Sequence, residues 1–174
     1  MPFIHNIKRI GGKECVFLHG KKRTNMEITL TISQSAVLEE VANTTSYIGL
    51  KMDDEAAMDR IPTVDEDKKM LTRFWNESRA EVAKMFIRIL ASEGMNEDNY
   101  VLTLNVTEHF NTALVPSMET GLFSFFVNNI VGLWCMYTNK EEAMDYMERG
   151  RALLDDVQEK GHYEKIHTRP MHPF

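Results

Sequence analysis

The feature that most constrains this chain is the stretch over residues 118–137, which is apolar on nearly every side of a helix: Leu122, Phe125, Phe126, Ile130, Val131, Trp134 and Cys135 leave it no polar face. Such a helix has nothing to offer water, so it belongs at the centre of a core with other elements wrapped around it. Pro116, a residue type favoured in the first turn, marks its start. The rest of the chain has to supply the wrapping.

Three further stretches read as helices. Thr63 and Glu66 have capping-box spacing just after Pro62, and Leu71, Phe74, Trp75, Ser78, Val82, Met85, Phe86 and Ile89 then recur at three- and four-residue steps. Gly94 is the expected stop, so the pattern predicts a helix over residues 64–92. Asn139 and Glu142 form a second capping box, and Ala143, Tyr146, Met147, Leu153, Leu154 and Val157 line a helix that ends at Gly161. Its short joint to the central helix predicts an antiparallel pair. Ser33 precedes Ala36, Val37, Val41 and Tyr47, a moderately amphipathic stretch that ends near Gly49 and gives way to an acidic loop through Asp53, Asp54 and Glu55.

Strand signals are fewer. Ile28, Leu30 and Ile32 alternate with Thr29 and Thr31, and Tyr100, Leu102, Leu104 and Val106 share one side of a second strand, so a two-stranded sheet with non-local pairing is expected. Residues 3–10 and 15–19 flank Gly11-Gly12-Lys13 and read as a β-hairpin arm. Residues 162–174 hold Pro170 and Pro173 without periodicity, the profile of an extended tail. The expected fold is mainly α with a minor β part: an arm over residues 1–25, a bundle of three to four helices with the small sheet over residues 26–161, and the tail.

At 174 residues, 43% hydrophobic and 26% charged, the chain suits one domain, or one domain with an arm, and a single core. No apolar stretch is read as approaching the roughly 20 residues of a membrane helix, which excludes a membrane protein. Two cysteines and an N-terminus without the apolar core of a secretory signal make a reducing cytoplasm the expected setting. Residues 1–26 carry Lys8, Arg9, Lys13, Lys21, Lys22 and Arg23 against Glu14, a net +5, so the remaining residues carry −11. A basic arm on an acidic body fits the arm of one copy lying on the body of another better than it fits nucleic acid, which the body would repel; an arm that is merely solvated is the plainer alternative.

The residues offer little catalytic chemistry. Gly11-Gly12-Lys13 and Gly20-Lys21-Lys22 lack the earlier glycine of a phosphate loop. Cys15, His19 and His5 lack a fourth ligand for zinc, and Glu159 with His162 is one copy of a spacing that di-metal bundles need twice. Cys135 lies between Trp134 and Met136 and reads as core, as do Trp75 and Trp134. The acids Asp53, Asp54, Glu55, Asp59, Asp65, Glu66 and Asp67 do not follow the order of a calcium loop and read as a solvated loop and helix start. No enzyme activity, cofactor or metal is therefore expected. Twelve methionines is an unusual number; Met85, Met118, Met136, Met144 and Met147 fall on or near helix faces, which fits subunit contacts or an adaptable core equally well.

Phe74-Trp75 with Glu77 and Arg79 on a capped helix, a strand, the apolar helix, a two-residue joint and a helix ending Asp155-Asp156-Val157-Gln158-Glu159 form a familiar order. Over about residues 26–165, beginning MEITLTISQSAVLEEVANTTSYIGLK, the chain resembles the small helical head-to-tail connector, or neck, proteins of tailed bacteriophages and their prophages. The resemblance implies a non-enzymatic virion protein, assembled in the bacterial host cytoplasm, whose copies form a ring beneath the portal protein. It implies contact with neighbouring neck or tail proteins, and double-stranded DNA passing through the lumen without sequence-specific binding. An acidic lumen would let DNA slide rather than stick. The parts suited to reaching partners are then the arm, through Lys8, Arg9, Lys21, Lys22 and Arg23, and the tail, through His167, Arg169, Pro170 and Phe174. The first 25 residues depart from the compact form of the family and leave open related neck roles such as head completion or tail termination. The alternative outside that family is a cytoplasmic helical adaptor or regulatory protein that binds another protein.

Overall fold

A computed structural model describes residues 25–52 and 57–164. They build a mainly helical protein with one small antiparallel sheet. Strand β1 (Asn25–Ser33) runs into helix α1 (Gln34–Lys51), followed by a short α2 (Ala57–Arg60) and α3 (Lys68–Met85). A hairpin of β2 (Leu90–Asn96) and β3 (Asn99–Thr107) then precedes the long α4 (Val115–Thr138) and α5 (Lys140–Gly161).

The non-local strand pairing expected from the alternation is present. β3 lies between β1 and β2, and Ile28 faces Leu104, Leu30 faces Leu102 and Ile32 faces Tyr100, so one face of the sheet is a continuous apolar surface. That face packs on α4, the centre of the core, which also touches α1, α3 and α5. Trp75 of α3 stacks on Phe126 of α4 with ring centroids 4.4 Å apart, and Tyr100 meets Phe126 edge-on at 5.7 Å. Trp134, near the end of α4, donates through Nε1 to the Ile61 carbonyl at 2.6 Å and so ties the chain after α2 to the core. One buried polar contact crosses the helices: Asn129 Nδ2 donates to Ser78 Oγ at 3.0 Å, and Ser78 Oγ donates to the Phe74 carbonyl.

α4 and α5 are joined by Asn139 alone and run antiparallel. They approach closely because glycines lie between them. A Cβ at Gly132 would stand 2.6 Å from Met147 Cγ and 3.2 Å from the Met147 backbone nitrogen, and one at Gly121 would stand 2.5 Å from Val157 Cγ2. At Gly150 the nearest atom would be 3.5 Å away, an ordinary contact.

The structure corrects several sequence expectations. The sheet has three strands, not two, because the helix expected over residues 64–92 stops at Met85 and residues 90–96 turn back as β2. The reversal is local: Phe86 is buried, Ile89 and Leu90 donate to its carbonyl, and Gly94 lies within β2 rather than ending a helix. The same helix begins only at Lys68. Thr63 does not cap it, since its backbone N–H donates to Thr45 Oγ1 at 3.2 Å; Asp67 accepts from the Val64 N–H instead. Asn139 precedes α5 but makes no side-chain cap bond, its Nδ2 lying 3.6 Å from Met52 Sδ. Finally, residues 112–138 are long and apolar enough to cross a membrane by length and composition, contrary to the expectation that no stretch approaches that size. Here most of that helix is covered by protein, as the core position of α4 requires. Residues 1–24 of the arm expected over residues 1–25, the acids Asp53, Asp54 and Glu55, and residues 165–174 of the tail lie outside the described residues; Asn25 opens β1.

The β2–β3 turn also fixes the start of α1. Glu97 takes a left-handed φ of 54° in the two-residue link, and the Asp98 carboxylate that follows accepts from the Ser35 N–H and from the hydroxyls of Ser33 and Ser35. Ser33 in turn caps α1 by accepting the Ala36 N–H at 3.2 Å. These bonds, those from Ser35 first, hold the Asp98 carboxyl below its ordinary value of 3.8. A lowered folded-state value means that this contribution to stability is complete above the unfolded value and is lost as the pH falls through the folded one. Wild type is therefore expected to lose more stability than Asp98→Asn when thermal melts are taken from neutral pH to below 3.8; parallel losses would remove Asp98 from the acid response.

The helix contact gives a second expectation. Gly132→Ala must force backbone apart and is expected to cost about 1–2 kcal/mol after its gain in helix propensity, whereas Gly150→Ala has room and is expected to stabilise by about 0.5–1 kcal/mol. Urea unfolding of the two variants measures both signs.

Candidate functional site

α3 and α5 both pack against α4. Glycines bring α5 close to α4, while Trp75 and Phe126 place aromatic rings between α3 and α4. The unequal spacing leaves a groove of about 1060 Å³ with Phe125 and Asn129 of α4 among its lining residues. On the α5 side Met144, Met147, Glu148, Arg151, Leu154 and Gln158 recur at three- and four-residue steps and line one wall. The opposite wall comes from the last turn of α3 and the residues after it, through Glu81, Lys84, Met85, Ile87 and Arg88. Gln158 bridges the walls by donating from Nε2 to the Met85 carbonyl at 3.3 Å.

The lips of this groove are apolar and open to solvent. Ile87 is 72% exposed and Met144 70% exposed. Around them stand Lys84, Arg88 and Arg151 against Glu81 and Glu148, an excess of positive charge on a chain of net charge −6. The Glu81 carboxyl is pushed up from its ordinary value, chiefly by partial burial; Arg151 and Lys84 pull it down and Glu77 adds to the rise. An apolar trough with charged rims suits a helix or extended segment of another protein.

A second set of exposed apolar side chains lies elsewhere. Tyr47 and Leu50, on the outer side of α1, are 60% and 68% exposed, and Met58 of α2 is exposed nearby, its Sδ beside the Gly49 backbone. None of these three lines the groove.

Other places offer less chemistry. A small hollow of about 240 Å³ lies among Leu114, Asp156, Glu159, Lys160 and Tyr163, where Lys160 is already engaged by Asp156 at 2.6 Å and Ser117 at 2.9 Å. Burial pushes the Cys135 thiol up to about 11, with Glu142 adding to the rise and a hydrogen bond with Thr138 opposing it, so the sulfur stays protonated at neutral pH. Beside the sheet, Arg79 pairs with Glu93 at 3.1 Å and lies 5.0 Å from the centre of the Tyr100 ring. The Tyr100 hydroxyl is pushed well above its ordinary value, first by burial and then by Glu93, against the pull of Arg79. Among the described residues no group of three or more His, Cys, Asp or Glu side chains is arranged to hold a metal ion.

The residues that the sequence nominated for partner binding, Lys8, Arg9, Lys21, Lys22 and Arg23 in the arm and His167, Arg169, Pro170 and Phe174 in the tail, lie outside the described residues. Sequence reasoning missed the groove itself, although the methionine excess pointed toward it: Met85, Met144 and Met147 all line it, while Met118 is buried in the core.

Because the groove lips face solvent, Ile87→Asp and Met144→Asp are each expected to change unfolding stability by no more than about 0.5 kcal/mol. A thermal or urea melt checks this, and a larger loss would mean that these side chains belong to the core.

Comparison with known proteins finds no matching family model, no matching curated protein and no matching solved structure.

Proposed function

We propose that this chain is a non-enzymatic structural subunit of a tailed-phage neck, a head-to-tail connector whose copies close into a ring beneath the portal. The observation that carries this reading is that exposed apolar side chains fall on more than one separate surface, among them the α3–α5 groove and the outer side of α1 with α2. A subunit in a ring needs two different faces, one for each neighbour, whereas a simple two-fold dimer needs only one. The order of elements that resembles the connector family supports the same reading, as does the body charge of −11, which would keep DNA from sticking to the lumen. In this role the basic arm and the tail reach the portal and neighbouring neck or tail proteins. The particle is assembled in the bacterial host cytoplasm and the protein ends in the virion neck.

A second reading rests on the groove alone. A helical adaptor or regulatory protein would use it to hold a segment of one foreign partner and would have no need of the α1 surface.

The two readings separate by mass. Light scattering over a concentration series, alone and mixed with portal protein, is expected to give a large closed assembly in at least one of the two conditions, and particle images are expected to show a ring. A monomer or dimer that is indifferent both to concentration and to portal protein sinks the connector reading in favour of the adaptor. Deleting residues 1–24 is expected to leave the melting temperature unchanged and to weaken assembly; unfolding on deletion would make the arm part of the core.

A further inference from the structure

We propose that the outer ridge of α1 on one copy, led by Tyr47 and Leu50, seats in the α3–α5 groove of the next copy. This rests on the ring reading above and names the two faces that meet. The ridge is a single helical face: Glu40, Asn43, Tyr47 and Leu50 follow one another at three- and four-residue steps and all are exposed. It is convex and apolar at its tip, where the groove is concave and apolar at its lips through Ile87 and Met144.

The charges match as the shapes do. Glu40 starts the ridge and Glu39 lies beside it, and both are exposed. The groove offers Lys84, Arg88 and Arg151 in excess over Glu81 and Glu148. Lys51, whose ammonium lies 5.3 Å from the centre of the Tyr47 ring, gives the ridge a cation for one of those two glutamates. This excess of one positive charge disfavours basic partners and favours an acidic ridge such as that of another copy. Because ridge and groove share no residue, each copy donates one and accepts another, so the contact propagates from copy to copy, as the ring reading requires.

A mixing experiment tests this directly. Leu50→Asp spoils the ridge and keeps the groove; Ile87→Asp spoils the groove and keeps the ridge. Both positions are exposed, and circular dichroism confirms that each full-length variant is folded. Sedimentation is run under the condition in which wild type assembles, alone or on portal protein. Each variant alone is expected to lose self-association and remain a monomer, while an equimolar mixture forms a two-copy complex, one of each variant, and nothing larger. If wild type assembles and either variant assembles equally well, the ridge-to-groove contact is wrong and the ring reading stands. Variants that lose self-association but stay monomeric when mixed likewise overturn the contact. Wild type that never self-associates overturns the contact and the ring reading together.

Discussion

The burial of α4 is the constraint on which the rest of this structure depends. A helix bearing Leu122, Phe125, Phe126, Ile130, Val131 and Trp134 must be covered from several sides at once, and the chain does so with α1, α3, α5 and the apolar face of the sheet. Two kinds of neighbour are used. Toward α5, glycines remove side chains so that backbones meet; toward α3 and the sheet, aromatic rings fill the space. Core packing at these two spacings leaves α3 and α5 apart, and the candidate site is the gap that results. The groove is thus a by-product of how the core is filled, with buried Phe125, Asn129 and Leu154 in its lining and exposed Ile87 and Met144 at its lips.

Much of the fold could be read from one sequence, because its signals are local and strong. Alternation at Ile28, Leu30 and Ile32 and at Tyr100, Leu102 and Leu104 revealed the two paired strands, and the all-round apolar character of α4 gave its central place. The third strand was hidden because Phe86 and Ile89 continue the helical spacing of α3 while the chain has already turned. The turn residues from Asn96 to Asn99 were the available cue to a hairpin, since β2 itself holds no β-branched residue.

The candidate site was far less legible. Lys84, Arg88, Glu148 and Arg151 each look like ordinary solvated positions, and only the packing of three helices brings them around one groove. Charge and composition directed attention to the two ends of the chain, where sequence is unusual. The groove arises in the middle, where each helix looks ordinary and the signal lies in their relative spacing. A helix capping box was misleading for a similar reason: Thr63 has the right spacing to Glu66, but Thr45, from another helix, competes for its backbone and wins.

The single-residue link at Asn139 has a consequence for how the chain acquires its structure. α4 and α5 are neighbours in sequence, so their contact closes almost no loop and is expected to form early. The β2–β3 hairpin, closed through Glu97 and Asp98, is equally local. β1 must instead find β3 across the whole of α1, α2, α3 and β2, the costliest search in the fold. It therefore arrives at a preformed template, and until it does, the apolar edge of β3 stays open to a wrong strand. A newly made chain is vulnerable to mispairing in that interval, and a higher concentration of copies raises the chance that a foreign strand arrives first.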